Sequence, residues 1–251
     1  MAKALGYIVF EGPSAIDGAP IAVILTGFGS ASTNRKTGGM IQSYVIRTDV
    51  PPTDAIRQGL DGAVCGTCPL RSVASGGSGA CYVNVGHGPL AVFNAYKRGR
   101  YDRVSVRFAS FTIGESGRPL RIGTYGDPGA VPDAGAFWRG LLAFMAPGQG
   151  HTGYTHRWRD TGADLRGICM ASVDSAAEGT EAMSYGWATF RVAKLGDRRR
   201  LDGEARCPAS AEAGKWVTCE TCPIKCNGER FPWNVGRVIQ AHGATAGRIE
   251  G

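Results

Sequence analysis

From residue 81 onward, short apolar runs of strand length alternate with amphipathic segments of helix length, and few folds accommodate that pattern. Gly88 to Gly99 (GPLAVFNAYKRG) reads as a helix, with Pro89 suited to its first turn. VSVRFASF (104–111) and LRIGTYGDP (120–128) follow as expected strands. AGAFWRGLLAFM (134–145) is the clearest helix, with an apolar face through Phe137, Trp138, Leu141, Leu142 and Met145. Strands are then expected in TGYTHRW, LRGICMASVDS and GWATFRVAKL, with an acidic helix from Glu178 to Tyr185 before the last. Such alternation predicts an α/β protein with a parallel sheet, either open or closed into a partial or complete β/α barrel, whose ligands bind at the carboxyl ends of the strands. Residues 1–60 form an N-terminal β-rich extension ending in a helix opened by Pro51 and Pro52. Residues 61–203 are the barrel-like core, and 204–251 a C-terminal cysteine-rich metal-binding segment.

The eight cysteines are unevenly placed. Cys207, Cys219, Cys222 and Cys226 follow the spacing C-x11-C-x2-C-x3-C, which suits a closed four-thiolate metal site. Cys65, Cys68 and Cys81 (C-x2-C-x12-C) supply only three thiolates, leaving a position for water, a fourth ligand or a substrate. His87, six residues past Cys81, would complete a Cys3His zinc site. Cys169 is another candidate fourth ligand, although a lone cysteine on a strand is by default a small hydrophobe. Soft thiolates select zinc or iron–sulfur clusters, and spacing leaves both open. The amino terminus carries no signal-peptide pattern and no apolar run is long enough to cross a membrane, so a cytoplasmic location with reduced thiols is expected.

The formal charge is +7, with 22 arginines against six lysines. Arginine's planar fork suits phosphate, which makes a nucleotide or nucleic-acid partner an expectation. The segment Asn34-Arg35-Lys36-Thr37-Gly38-Gly39 offers two cations and several backbone donors to a phosphate. It lacks P-loop spacing, and the glycine-rich stretch 27–39 reads as a mobile surface loop. Polar residues cluster at the expected strand ends: Thr124 to Asp127, then His156, Arg157 and Trp158, then Ser172, Asp174 and Ser175, and Arg191. A shared pocket there is the expectation.

The order of elements resembles the radical SAM superfamily, a partial β/α barrel with three cluster cysteines after its first strand. Tyr82 beside Cys81 is similar to the aromatic residue beside that family's last cluster cysteine. Gly123-Thr-Tyr-Gly126-Asp127-Pro128 resembles its GGEP motif, with aspartate in place of glutamate. Ser172-Val173-Asp174 resembles a Ser-x-Asp on a later strand, and Cys207 to Cys226 resemble the ligands of an auxiliary cluster. The family's CxxxCxxC is replaced here by the wider spacing. The resemblance implies [4Fe–4S] clusters with S-adenosylmethionine, reductively cleaved to an adenosyl radical. It assigns cofactor contacts to Tyr82, Gly123, Gly126 and Asp127, and catalytic pocket positions to Ser172, Asp174 and Arg191. The phrases ACYVNVGHGPLAVFNAYKRGRY and CPAS…TCETC also resemble a group of cysteine-rich phage- and plasmid-borne proteins, which implies a mobile-element origin and the host cytoplasm. Two other readings stand beside this enzyme: a non-enzymatic zinc protein that binds nucleic acid through arginine-rich faces, and a zinc-dependent base-modifying barrel.

Overall fold

The computed structural model describes residues 4–29, 34–160, 164–214, 216–230, 236–242 and 245–249. Residues 30–33 of the expected glycine-rich loop thus lie outside the described residues. The protein is built on a ten-stranded sheet in the order β4-β1-β2-β3-β5-β6-β7-β8-β10-β9. Its amino-terminal side is antiparallel: β1 (Gly6–Pro13) pairs with β2 (Pro20–Thr26), and β2 with β3 (Ile41–Arg47). The short β4 (Asp102–Arg103) adds to the outer edge of β1. From β3 the sheet is parallel, through β5 (Leu120–Tyr125), β6 (His151–Thr155), β7 (Met170–Val173) and β8 (Thr189–Ala193) to β10 (Gly236–Gln240) and β9 (Glu204–Arg206). The three expected segments therefore all contribute strands to one α/β sheet.

Helices fill the crossovers. They are α1 (Pro52–Gln58), α2 (Gly62–Cys65), α3 (Gly88–Lys97), α4 (Val106–Ser116), α5 (Ala134–Leu142) and α6 (Ala176–Ser184). The expected strand VSVRFASF is instead most of α4, which overturns its period-two reading. Ser105 caps the helix by accepting from the Phe108 amide, and Ala109, Ser110 and Ile113 turn to the core at helical spacing while Phe108 and Phe111 stay exposed. The acidic helix begins at Ala176, because Ser175 accepts from the Glu178 amide and sets its start. No described helix is long and apolar enough to cross a membrane.

Successive strand residues face opposite sides. One face carries Leu120, Ile122, Ala171 and Val173 into the main core, where Trp138 of α5 is fully buried and its Nε1 donates to the Pro128 carbonyl. Arg191 also lies on this face. Its guanidinium is 4% exposed and pairs at 2.8 Å with Glu204, whose side chain is 0% exposed, and also donates to the Arg199 carbonyl. Phe190 and Val192, its neighbours, point to the other side. Arg191, expected in the pocket, instead ties β8 to β9. Removing one member of such a buried pair strands the other charge. Arg191→Met should therefore cost about 3–5 kcal/mol in chemical denaturation. An unchanged midpoint would show that the pair contributes nothing to stability.

Candidate functional site

The opposite face of the parallel sheet is covered by loops, and between them and the strands lies a cavity of about 170 Å³. Cys65, Cys68 and Cys81 line it, and so do Cys207, Cys219, Cys222 and Cys226. All eight cysteines are free thiols. The eighth, Cys169, does not line the cavity. It is fully buried behind β6, where a side chain at Gly153 would strike its Sγ, and it behaves as the small hydrophobe expected by default.

The first three thiols are placed by α2 and the loop after it. Cys65 ends α2, the Cys68 amide donates to the Cys65 carbonyl at 3.2 Å, and the Cys81 amide donates to the Leu70 carbonyl at 2.8 Å. Asp61, 2% exposed, organises the loop by accepting from the Ser72 amide and from the Ser72 and Ser75 hydroxyls. Burial pushes the Cys65 thiol well above its ordinary range, and the neighbouring Cys68 and Cys81 thiols add to the shift.

Each of the other four is anchored to a different part of the fold. The Cys207 amide donates to Val238 of β10, the Cys219 amide to the Lys36 carbonyl and the Cys222 amide to the Thr218 carbonyl, while the Cys226 carbonyl accepts from Gly153 of β6. Burial pushes Cys226 up to about 12; a hydrogen bond from Tyr154 pulls it back, and Cys207 and Cys219 raise it further. Cys207 in turn senses Cys219 and Cys222, so these thiols are mutual neighbours. Among the described residues, no three Cys, His, Asp or Glu side chains converge closely enough to hold a single metal ion.

His87 is exposed at the start of α3 and does not line this cavity. The histidine beside the first thiols is His156, at the end of β6, whose Nε2 lies 3.8 Å from Cys68 Sγ and 3.2 Å from Asp174 Oδ2. Burial opposes a charge on His156, but Asp174 and Cys68 outweigh it and raise the imidazole well above its ordinary range. Asp174 Oδ1 is buried without a hydrogen-bond partner. Sequence reading noted His156 as a strand-end residue; its contact with Cys68, 88 positions away, is a product of the crossovers.

Thr124, Tyr125, Gly126, Asp127, His156 and Ser172 line the cavity, as a shared strand-end pocket requires. Arg157, Trp158, Asp174 and Ser175 do not: Trp158 is buried and donates to the Ser172 carbonyl, Arg157 pairs with Asp160, Asp174 meets His156 Nε2, and Ser175 caps α6. Tyr82 reaches in with its hydroxyl 3.1 Å from Arg121 Nη2. The Gly123 amide donates to the Ser43 hydroxyl. Gly126 has φ +78°, and a side chain there would meet Val45 at 2.6 Å, so this turn requires glycine.

Asp127 has both oxygens engaged. Oδ1 accepts from the Gly129 amide and the Thr155 hydroxyl, and Oδ2 from the His156 amide, each at 2.8 Å. It ties the ends of β5 and β6 together in the cavity wall. No family model, curated protein or solved structure matches the chain. Asp127→Asn replaces one acceptor by a donor facing donors, and should cost about 1–3 kcal/mol in urea unfolding. A neutral result would leave the carboxylate free for a ligand.

Proposed function

We propose that the protein is an iron–sulfur enzyme of radical-SAM-like type, built on a partial β/α barrel and acting on a nucleotide or nucleic-acid substrate. One observation carries this reading: the two cysteine groups, far apart in sequence, line a single cavity on one face of a parallel sheet. Thiols that only staple a fold need no access to a common hollow, whereas thiols serving chemistry do. Soft thiolates in sets of three and four are donors that iron–sulfur clusters take, one cysteine to each iron, and the set of three would leave one iron open.

Cys65, Cys68 and Cys81 would hold the cluster with one open position, and Cys207, Cys219, Cys222 and Cys226 the closed one. When bound, a [4Fe–4S] cluster with S-adenosylmethionine supplies one-electron chemistry that amino-acid side chains lack. The protein's own contribution is positional. Tyr82 and the Gly123–Gly126 turn would border the cofactor, and Ser172 would face the substrate. His156 would hold a proton at Nε2, the nitrogen that faces both Asp174 Oδ2 and the open-site Cys68. Asp127 would keep that wall in register rather than contact the cofactor directly. The mainly apolar walls, among them Phe190, Val192 and Ile239, would exclude water.

Anaerobic purification with iron, sulfide and zinc analysis tests this. Iron with matching sulfide and a broad visible absorption is expected. Cys81→Ser and Cys219→Ser should each remove part of the iron, and both together nearly all of it. A colourless protein carrying about two zinc per chain, as four-coordinate thiolate sites would bind, would retire the enzyme and favour the zinc-stapled nucleic-acid binder.

A further inference from the structure

A second cavity, of about 480 Å³, shares a wall with the cysteine-lined one through Lys36, Tyr82, Arg121 and Thr124. Its volume is in the range of small-molecule sites, roughly 300–1,000 Å³. Its lining holds an unusual concentration of unmet hydrogen-bonding capacity. Thr37 Oγ1, Thr124 Oγ1, Ser210 Oγ and Arg121 Nε are all buried without a hydrogen-bond partner. Burying such a group unpaired is costly, and natural proteins leave few of them. These four come from three separate places: the loop before β3, the β5 strand and the turn after Cys207.

Arg121 dictates the kind of ligand. It is 8% exposed, and the ion pairs of the described residues do not include it. Its one described side-chain hydrogen bond is to the Tyr82 hydroxyl. A guanidinium always carries its charge and only donates. Lys36 and Arg35, the two cations of the Asn34–Gly39 segment, line the same hollow. The single acid in the wall, Glu212, lies near Lys36 and already accepts from the Gln240 amide. The aromatic rings of Tyr44, Tyr82 and His242 complete the wall, with Tyr82 and His242 at 5.7 Å between centroids. Aromatic faces of this kind stack nucleobases.

We infer that this second cavity binds the phosphate of a nucleotide-class ligand, anchored by Arg121 with the hydroxyls of Thr37, Thr124 and Ser210, and holds it beside the cysteine-lined cavity. Three terminal oxygens accept from several directions at once, which a two-oxygen carboxylate does less well. The inference rests on the proposed enzyme only in making this ligand its substrate, since phosphate binding requires no cluster.

The test is calorimetric titration of the anaerobically purified protein with AMP, with adenosine and with inorganic phosphate. AMP should bind and adenosine about tenfold or more weaker, the effect of losing one charge-assisted contact. Arg121→Gln should weaken AMP by a similar factor with the melting temperature and iron content retained, and Arg121→Lys should recover part of it. Thr124→Val, a milder change, should weaken AMP several-fold even if Arg121→Gln fails to fold. Equal binding of AMP and adenosine, or no AMP binding, would overturn the inference. So would unchanged AMP affinity in Arg121→Gln with lowered iron, since Arg121 would then serve the Cys219 thiolate. AMP binding to a protein without iron would sink the cluster enzyme and leave the phosphate site standing.

Discussion

A parallel sheet must be covered on both faces, and the rest of this molecule follows from how that requirement is met. On one face the crossover helices do it in the usual way, burying Ile122, Val173 and Trp138 in a large apolar core. On the other face the cover is loop, carried by residues between β3 and α3 and between β9 and β10. Loops bury little apolar surface: the clusters there are small, one around Met40, Ala209 and Ile239 and another around Leu70, Ala241 and Ile249. Polar ties hold the cover instead, with Asp61 gathering the first loop and Glu220 accepting from the Gly39 amide. A cover of this sort leaves hollows, and the thiols line one of them.

Charge is handled differently on the two faces. Behind the sheet, Arg191 and Glu204 neutralise each other at 2.8 Å and are closed off from solvent. On the cavity side, Arg121 is buried among tyrosine hydroxyls and the Cys219 sulfur. The first arrangement is complete in itself. The second leaves a donor and a positive charge facing a space, which is the usual sign of a site shaped for something that is not protein. The proposed pairing of a thiolate cavity with an adjoining phosphate cavity gives both features one explanation.

Much of the layout was legible in the sequence, and the errors have physical causes. The 134–145 segment has a strong helical face and forms a helix that starts as read and ends at Leu142, three residues early, whereas VSVRFASF shows a strand-like alternation that its Ser105 cap and its packing on α5 override. β9 and β10 escaped notice because their strand runs, EAR and GRVIQ, are short and carry arginines that read as surface. His87 was attractive through proximity in sequence to Cys81, but the start of α3 faces it outward, and the crossover after β6 brings His156 to Cys68. Arg191 sat at a strand end, yet its position in the period-two alternation turned it to the helical face.

By itself the sequence determined most of the element types between residues 1 and 203, because hydrophobic periodicity and capping residues act within a few positions, with VSVRFASF the exception. It also set the cysteine spacing, three between 65 and 81 and four between 207 and 226, and left open which of them share a site. Only the tertiary structure decided that both sets open onto one cavity, that Asp127 is spent on three wall contacts, and that Arg121 is left to face a hollow. Those outcomes depend on which strands become neighbours and which face each residue takes, and that is settled by packing between segments distant in the chain.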